Sequence, residues 1–165
     1  VIKHEEQRVA IFIDTQNLYH SAKNIYRTKV NFGAVVKAAL GHRKLVRAIA
    51  YVVTTESGEE QSFFEALEKL GIEVKTKDLQ IFFGGAKKGD WDVGIAVDAI
   101  KMAQKVDIIV LASGDGDYVS LAEYIQNTFA CRVEVVAFAE SSSQKLVEVA
   151  DDFFNLSSDK RRFLI

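Results

Sequence analysis

Four aspartates have the setting a cation-dependent phosphodiester chemistry would need: Asp14, Asp92, Asp115 and Asp117. Asp14 ends the apolar run Val9-Ala-Ile-Phe-Ile, and Asn17 follows three residues later, at the expected start of a helix. Either side chain could serve only as a cap for that helix, through its oxygen. Asp115 and Asp117 lie in Leu111-Ala-Ser-Gly-Asp-Gly-Asp-Tyr-Val, where an apolar run passes directly into two carboxylates flanked by glycines. Glycine lets the backbone turn sharply and leaves room for a ligand. The segment lacks the further oxygen ligands and the closing glutamate of an EF-hand calcium loop. Asp92 lies in Lys87-Lys-Gly-Asp-Trp-Asp-Val-Gly-Ile-Ala-Val-Asp, at the start of a helix that is apolar on most sides. Asp98 is then a carboxylate amid core residues. At 100° per residue the two are about 120° apart around the helix axis, so one of them is not a direct ligand. Asp92, in the first turn, is the expected pocket member, with Asp98 bonded behind it to Asn17 or to nearby backbone.

Carboxylates gathered in one place repel and raise one another's pKa unless a cation compensates, so a shared metal explains the cluster better than three separate caps. The donors are oxygen only, and His4, His20 and His42 show no zinc-like spacing. Magnesium or manganese is therefore expected. A cation held by a few aspartates keeps several waters, and one of these can attack a phosphodiester.

Such a pocket needs elements that end together. Segments 8–13, 45–53 and 107–112 are rich in valine and isoleucine, and each leads through a polar turn into a helical pattern, the signature of an α/β fold. Near-continuous apolar runs suit central parallel strands covered on both faces. Further strands are expected at 71–75, 132–138 and 153–156, and helices at 17–25, 32–40, 58–70, 91–104, 118–129 and 142–149. Segment 79–83, before Gly84-Gly85, is either an edge strand or one arm of a hairpin. In such sheets ligands bind outside the carboxyl ends of the strands, where Asp14, Asp115 and Asp117 would lie.

A chain of 165 residues is expected to form one domain, with its core over about 9–155. The composition, 48% hydrophobic and 27% charged, is that of a soluble globular protein. No apolar run approaches the ~20 residues that span a bilayer, and residues 1–8 do not resemble a secretory signal, so a cytoplasmic location is expected. The single cysteine, Cys131, is expected in the core. The net charge of −2 hides a local asymmetry: Lys23, Arg27, Lys29, Lys37, His42, Arg43, Lys44 and Arg47 have no acidic residue among them. That stretch could track phosphates or be an ordinary solvated surface.

The motif Ile13-Asp-Thr-Gln-Asn-Leu, the segment 88–98, and Ser113-Gly-Asp-Gly-Asp-Tyr with the strand after it resemble the NYN domain, in the LabA-like branch of the PIN-like nuclease superfamily. Order and spacing agree over about 9–155. The resemblance implies a three-layer α/β/α sandwich with a mainly parallel sheet, in which one or two Mg2+ ions (or Mn2+) serve RNA cleavage. Asp14, Asp92, Asp115 and Asp117 fill its acidic positions, with Asn17 beside the first. Ser113 would hold the loop or contact a phosphate, and Lys88 would bind the scissile phosphate. Asp90 leaves open which carboxylate of the middle motif faces the metal. Two functions follow: a metal-dependent ribonuclease, or a non-catalytic module of the same fold that binds RNA or a protein partner. A homodimer would deepen the shallow groove of one small domain. A haloacid-dehalogenase-type phosphohydrolase would need a second aspartate two residues after Asp14, and Gln16 stands there.

Overall fold

The apolar run of the first segment forms strand β1 (Arg8–Asp14), in which Val9 to Ile13 are at most 1% exposed. A strand buried this completely needs cover on both faces. Val9, Ile11 and Ile13 pack with helices α1 (Thr15–Tyr26), α2 (Phe32–Leu40) and α3 (Gln61–Lys69). Ala10 and Phe12 face the opposite layer, made by α4 (Asp92–Ala103), α5 (Val119–Thr128) and α6 (Gln144–Val149). The structure is a computed structural model that describes residues 3–54, 60–81, 83–84 and 87–165, without the side chains at 80, 81, 87 and 88. The expected helix start at 58 and the glycine at 85 lie outside the described residues.

The remaining strands of the main sheet are β2 (Lys44–Thr54), β3 (Glu73–Asp78), β6 (Ile108–Ala112), β7 (Arg132–Ala137) and β8 (Asp152–Asn155). All six pair in parallel in the order β3-β2-β1-β6-β7-β8, a three-layer α/β/α sandwich as expected. Within segment 79–83 the described strand residues follow the hairpin alternative: β4 (Gln80–Ile81) pairs antiparallel with β5 (Lys87–Lys88) outside the main sheet. A short helix, α7 (Lys160–Phe163), closes the first layer through Phe163, which is fully buried. Among the described residues no helix is long and apolar enough to cross a membrane.

The order of strands fixes where a ligand can enter. The chain moves outward from β1 through β2 to β3, then returns and moves the other way through β6 and β7 to β8. Connections therefore leave β1 and β6 in opposite directions, and a crevice opens at their carboxyl ends. Asp14 is the last residue of β1, and Ser113 is the first after β6.

Candidate acidic centre at the carboxyl edge

Each wall of that crevice is stitched to the other. Asp14 caps α1, its Oδ1 accepting from the Asn17 backbone N–H at 3.2 Å. Its Oδ2 accepts from Ser113 Oγ at 3.1 Å, so the residue caps α1 and also ties β1 to the loop after β6. Asn17 Oδ1 accepts from Gly114 N at 2.9 Å, and Ser113 Oγ accepts from Asp115 N at 3.1 Å. Gly114 must be glycine here, because a Cβ would lie 2.9 Å from Ser142 Cα. The Ser143 N–H in turn donates to Gly114 O at 2.9 Å, clamping the loop from the β7 side. Asp115 thus sits on a loop held from three directions.

Asp92 arrives from the opposite layer. Asp90 Oδ1 accepts from its backbone N–H at 3.2 Å, so Asp90 takes the turn role and Asp92 is free to face the crevice. Trp91 anchors this helix start, donating from Nε1 to Val52 O at 3.0 Å and packing 5.3 Å from the Tyr51 ring. The Tyr118 hydroxyl lies 3.1 Å from Asp92 Oδ1 and 3.3 Å from Asp14 Oδ2, within reach of two carboxylates with its one proton. Asp14, Asp92 and Asp115 then each place one oxygen within 4.8 Å of the others.

No lysine or arginine among the described residues pairs with any of the three. Burial accordingly raises the pKa of Asp14, against hydrogen bonds from Asn17, Ser113 and Tyr118 that favour its charged form. Burial, with added repulsion from Asp115, Asp90 and Asp14, pushes Asp92 up to about 6. Burial and then the neighbouring carboxylates raise the Tyr118 phenol, which keeps it a neutral donor.

Asp117 and Asp98 do not join this trio. Asp117 is exposed on the 3-10 turn Gly116–Tyr118, its backbone N–H donating to Asp115 Oδ1 at 2.9 Å. Asp98 does not bond Asn17. Its position around α4 turns it toward β2 and β3, where Oδ2 accepts from Tyr51 OH at 2.8 Å and from Lys75 Nζ at 2.7 Å. Burial opposes its charge, but those two donors hold its pKa below the ordinary value. The side chain of Lys88, on β5, lies outside the described residues. The end of the basic stretch is already neutralised: Arg43 is buried against Glu134, Lys44 pairs with Glu6, and Arg47 with Glu73. Cys131 is buried, and burial raises its thiol to about 11, in keeping with a core role.

The sequence pattern of the NYN domain matches residues 8–157. The low amplitude and bright protein LabA of Synechococcus elongatus is 28% identical over 95% of this chain and 87% of its own length. The crystal structure of a protein of unknown function from Vibrio parahaemolyticus superposes over the whole of both chains with a TM-score of 0.89 and 33% identity.

Proposed function

We propose, from the premise that this chain belongs to the NYN domain family, that it is a metal-dependent ribonuclease whose cation is held by Asp14, Asp92 and Asp115. The observation that carries this reading is the uncompensated trio itself, three carboxylate oxygens within 4.8 Å of one another in the β1/β6 crevice. The donor set fits a hard ion such as Mg2+ or Mn2+, being oxygen only and without histidine or thiolate. A divalent cation bound there would supply charge for a phosphoryl oxygen and acidify a water. The chain's own part is positioning. Asp14 is fixed at both oxygens, Asp115 rides the clamped loop, and Tyr118 keeps Asp92 turned toward Asp14. Asp117, on the solvent side, would act on water or on a second cation.

The test is incubation of the protein with single-stranded and structured RNA in Mg2+, in Mn2+ or in chelator. Cleavage should need the cation and return when it is added in excess. Cleavage that persists in chelator would sink the reading, and salt-dependent retardation of RNA without cleavage would leave a binding module.

The raised carboxylates also predict how pH and cation interact. In the cation-free protein, Asp92 titrates at about 6, against 3.8 for the ordinary group. Between those values the folded state holds the extra proton, so this residue's contribution to stability falls as pH rises toward 6 and is constant above. Bound cation removes that penalty and displaces the proton. The thermal shift produced by Mn2+ should therefore be larger at pH ~7.5 than at pH ~5. Asp92→Asn should flatten the cation-free pH dependence between the two; an unchanged profile would remove Asp92 from the centre.

A further inference from the structure

The acidic centre says where a phosphodiester would be cut, but a chain of like charges also needs a surface that attracts it. Between Thr15 and Thr55 the sequence has no acidic residue at all. The basic residues of this span differ in whether a carboxylate already holds them. Arg43, Lys44 and Arg47 are consumed by carboxylates. Arg27 and Lys29, at the end of α1 and just beyond it, are exposed and have no carboxylate partner among the described residues.

A second group of cations, distant in sequence, joins them. Val30 bridges Leu164, Ile165 N donates to Lys29 O at 2.9 Å, and the Thr28 hydroxyl donates to Ile165 O. These contacts hold α7 against the α1–α2 connection, with Lys160 Nζ 4.8 Å over the Tyr26 ring. Arg161 is exposed on the same helix without an ion pair among the described residues. The end of α1 also belongs to the carboxyl side of the sheet, since Tyr26 OH donates to Glu140 at 2.9 Å just beyond β7.

From this end a stripe leads back toward the acidic centre. Tyr19 and Lys23 are four residues apart on α1, the spacing that places side chains on one face, and Arg27 is the cap that ends the helix. Tyr19 is 40% exposed, and Lys23 Nζ lies 5.7 Å from its ring centre. An exposed aromatic ring beside cations is the pairing that holds single-stranded nucleic acid by stacking and charge together. Arg27 is, in addition, the one non-glycine residue among those described with a positive φ, 55°. Glycine or asparagine fits that cap with less strain.

We propose that Tyr19, Lys23, Arg27, Lys29 and Arg161 form the track that holds the backbone of single-stranded RNA leading into the acidic centre. The proposal rests on the ribonuclease reading for its direction, while its charge argument stands alone. α1 has 12 residues, so the track's far end is roughly 18 Å from Asp14, about five stacked nucleotides.

The experiment compares the wild-type chain with a variant carrying Arg27→Asn, Lys29→Gln and Arg161→Gln. A control removes three cations elsewhere, Lys69→Gln, Lys101→Gln and Lys105→Gln. Binding of a fluorescent oligouridylate of about 20 nucleotides is followed by anisotropy in chelator across a salt series. Hydrolysis of bis(p-nitrophenyl) phosphate in Mn2+, a diester too small to reach the track, is measured separately. Expected for the track variant are at least ~10-fold weaker binding at low salt and a log–log salt slope smaller by about 2, from three phosphate contacts at about 0.7 each. The control and the small-diester rate should stay at wild-type values. Wild-type affinity and slope in the track variant would overturn the proposal, as would binding to phosphatidylserine vesicles but not to the oligonucleotide. Absence of small-diester hydrolysis in the wild type would instead strike the ribonuclease reading, and the track would be judged on binding alone.

Discussion

Asp115→Asn is expected to leave the fold in place and to reduce cation-dependent RNA cleavage by ~100-fold or more. Changing a residue that merely supports a metal ligand costs about 10–100-fold, so a lost ligand charge sets at least that scale. Asparagine retains the oxygen that accepts from the Asp117 N–H, and the backbone N–H still reaches Ser113 Oγ, so the loop keeps its hydrogen bonds. The thermal stabilisation by Mn2+ should disappear with the activity while the cation-free melting temperature changes little. Asp117→Asn is the informative companion, because Asp117 is exposed and outside the three-oxygen cluster. It should retain Mn2+ stabilisation. A loss in Asp117→Asn equal to that in Asp115→Asn would show that four carboxylates, not three, hold the ion.

Arg43→Met is expected to be the most destabilising single change, at about 3–5 kcal/mol. The Arg43 guanidinium donates to both Glu134 oxygens, at 2.8 and 3.0 Å, and its remaining N–H groups reach Ala39 O at 2.7 Å and Leu40 O at 3.1 Å. Both side chains are under 5% exposed. Glu134 sits on β7, so removing its partner strands an anion inside the sandwich, far from water. Against a usual total of about 5–15 kcal/mol, that is a large fraction, and the melting temperature should fall by about 10 °C or more. Replacing both residues, Arg43→Met with Glu134→Leu, should recover most of the loss, since an apolar pair of similar volume avoids the desolvation cost. Urea unfolding of the three proteins measures this. Equal stability of the single variant and the wild type would mean that Glu134 is hydrated or protonated without Arg43.

The two predictions differ in what the sequence showed beforehand. Asp14 and Asp115 are legible because one ends an apolar run and the other follows one by three residues, and the end of a buried parallel strand has only one place to go. Asp92 was legible in part: its place in the first turn was readable, whereas the choice against Asp90 needed the Asp90 turn that caps the Asp92 N–H. Local patterns give the strands of the main sheet and helices α1 to α6 to within a few residues, and they do not give α7. What stayed hidden depends on contacts between distant segments. Asp98 meets Lys75 and Tyr51 across 23 and 47 residues, and Arg43 meets Glu134 across 91. No periodicity in either segment reports such a meeting. The same holds for the Tyr118 hydroxyl, whose only sequence signal was its place directly after Asp117.

The stitch between β1 and the loop after β6 also orders events in time. Asp14 and Ser113 are 99 residues apart in the chain, and closing so long a loop is a slow, entropically opposed step in building a parallel sheet. Until those strands pair, Asp14 and Asp115 are not neighbours and no cation site exists. A cation can act only once this pairing has formed, so refolding and unfolding rates measured in Mn2+ report when it forms: slower unfolding alone places it after the folding barrier, and faster refolding places it at the barrier.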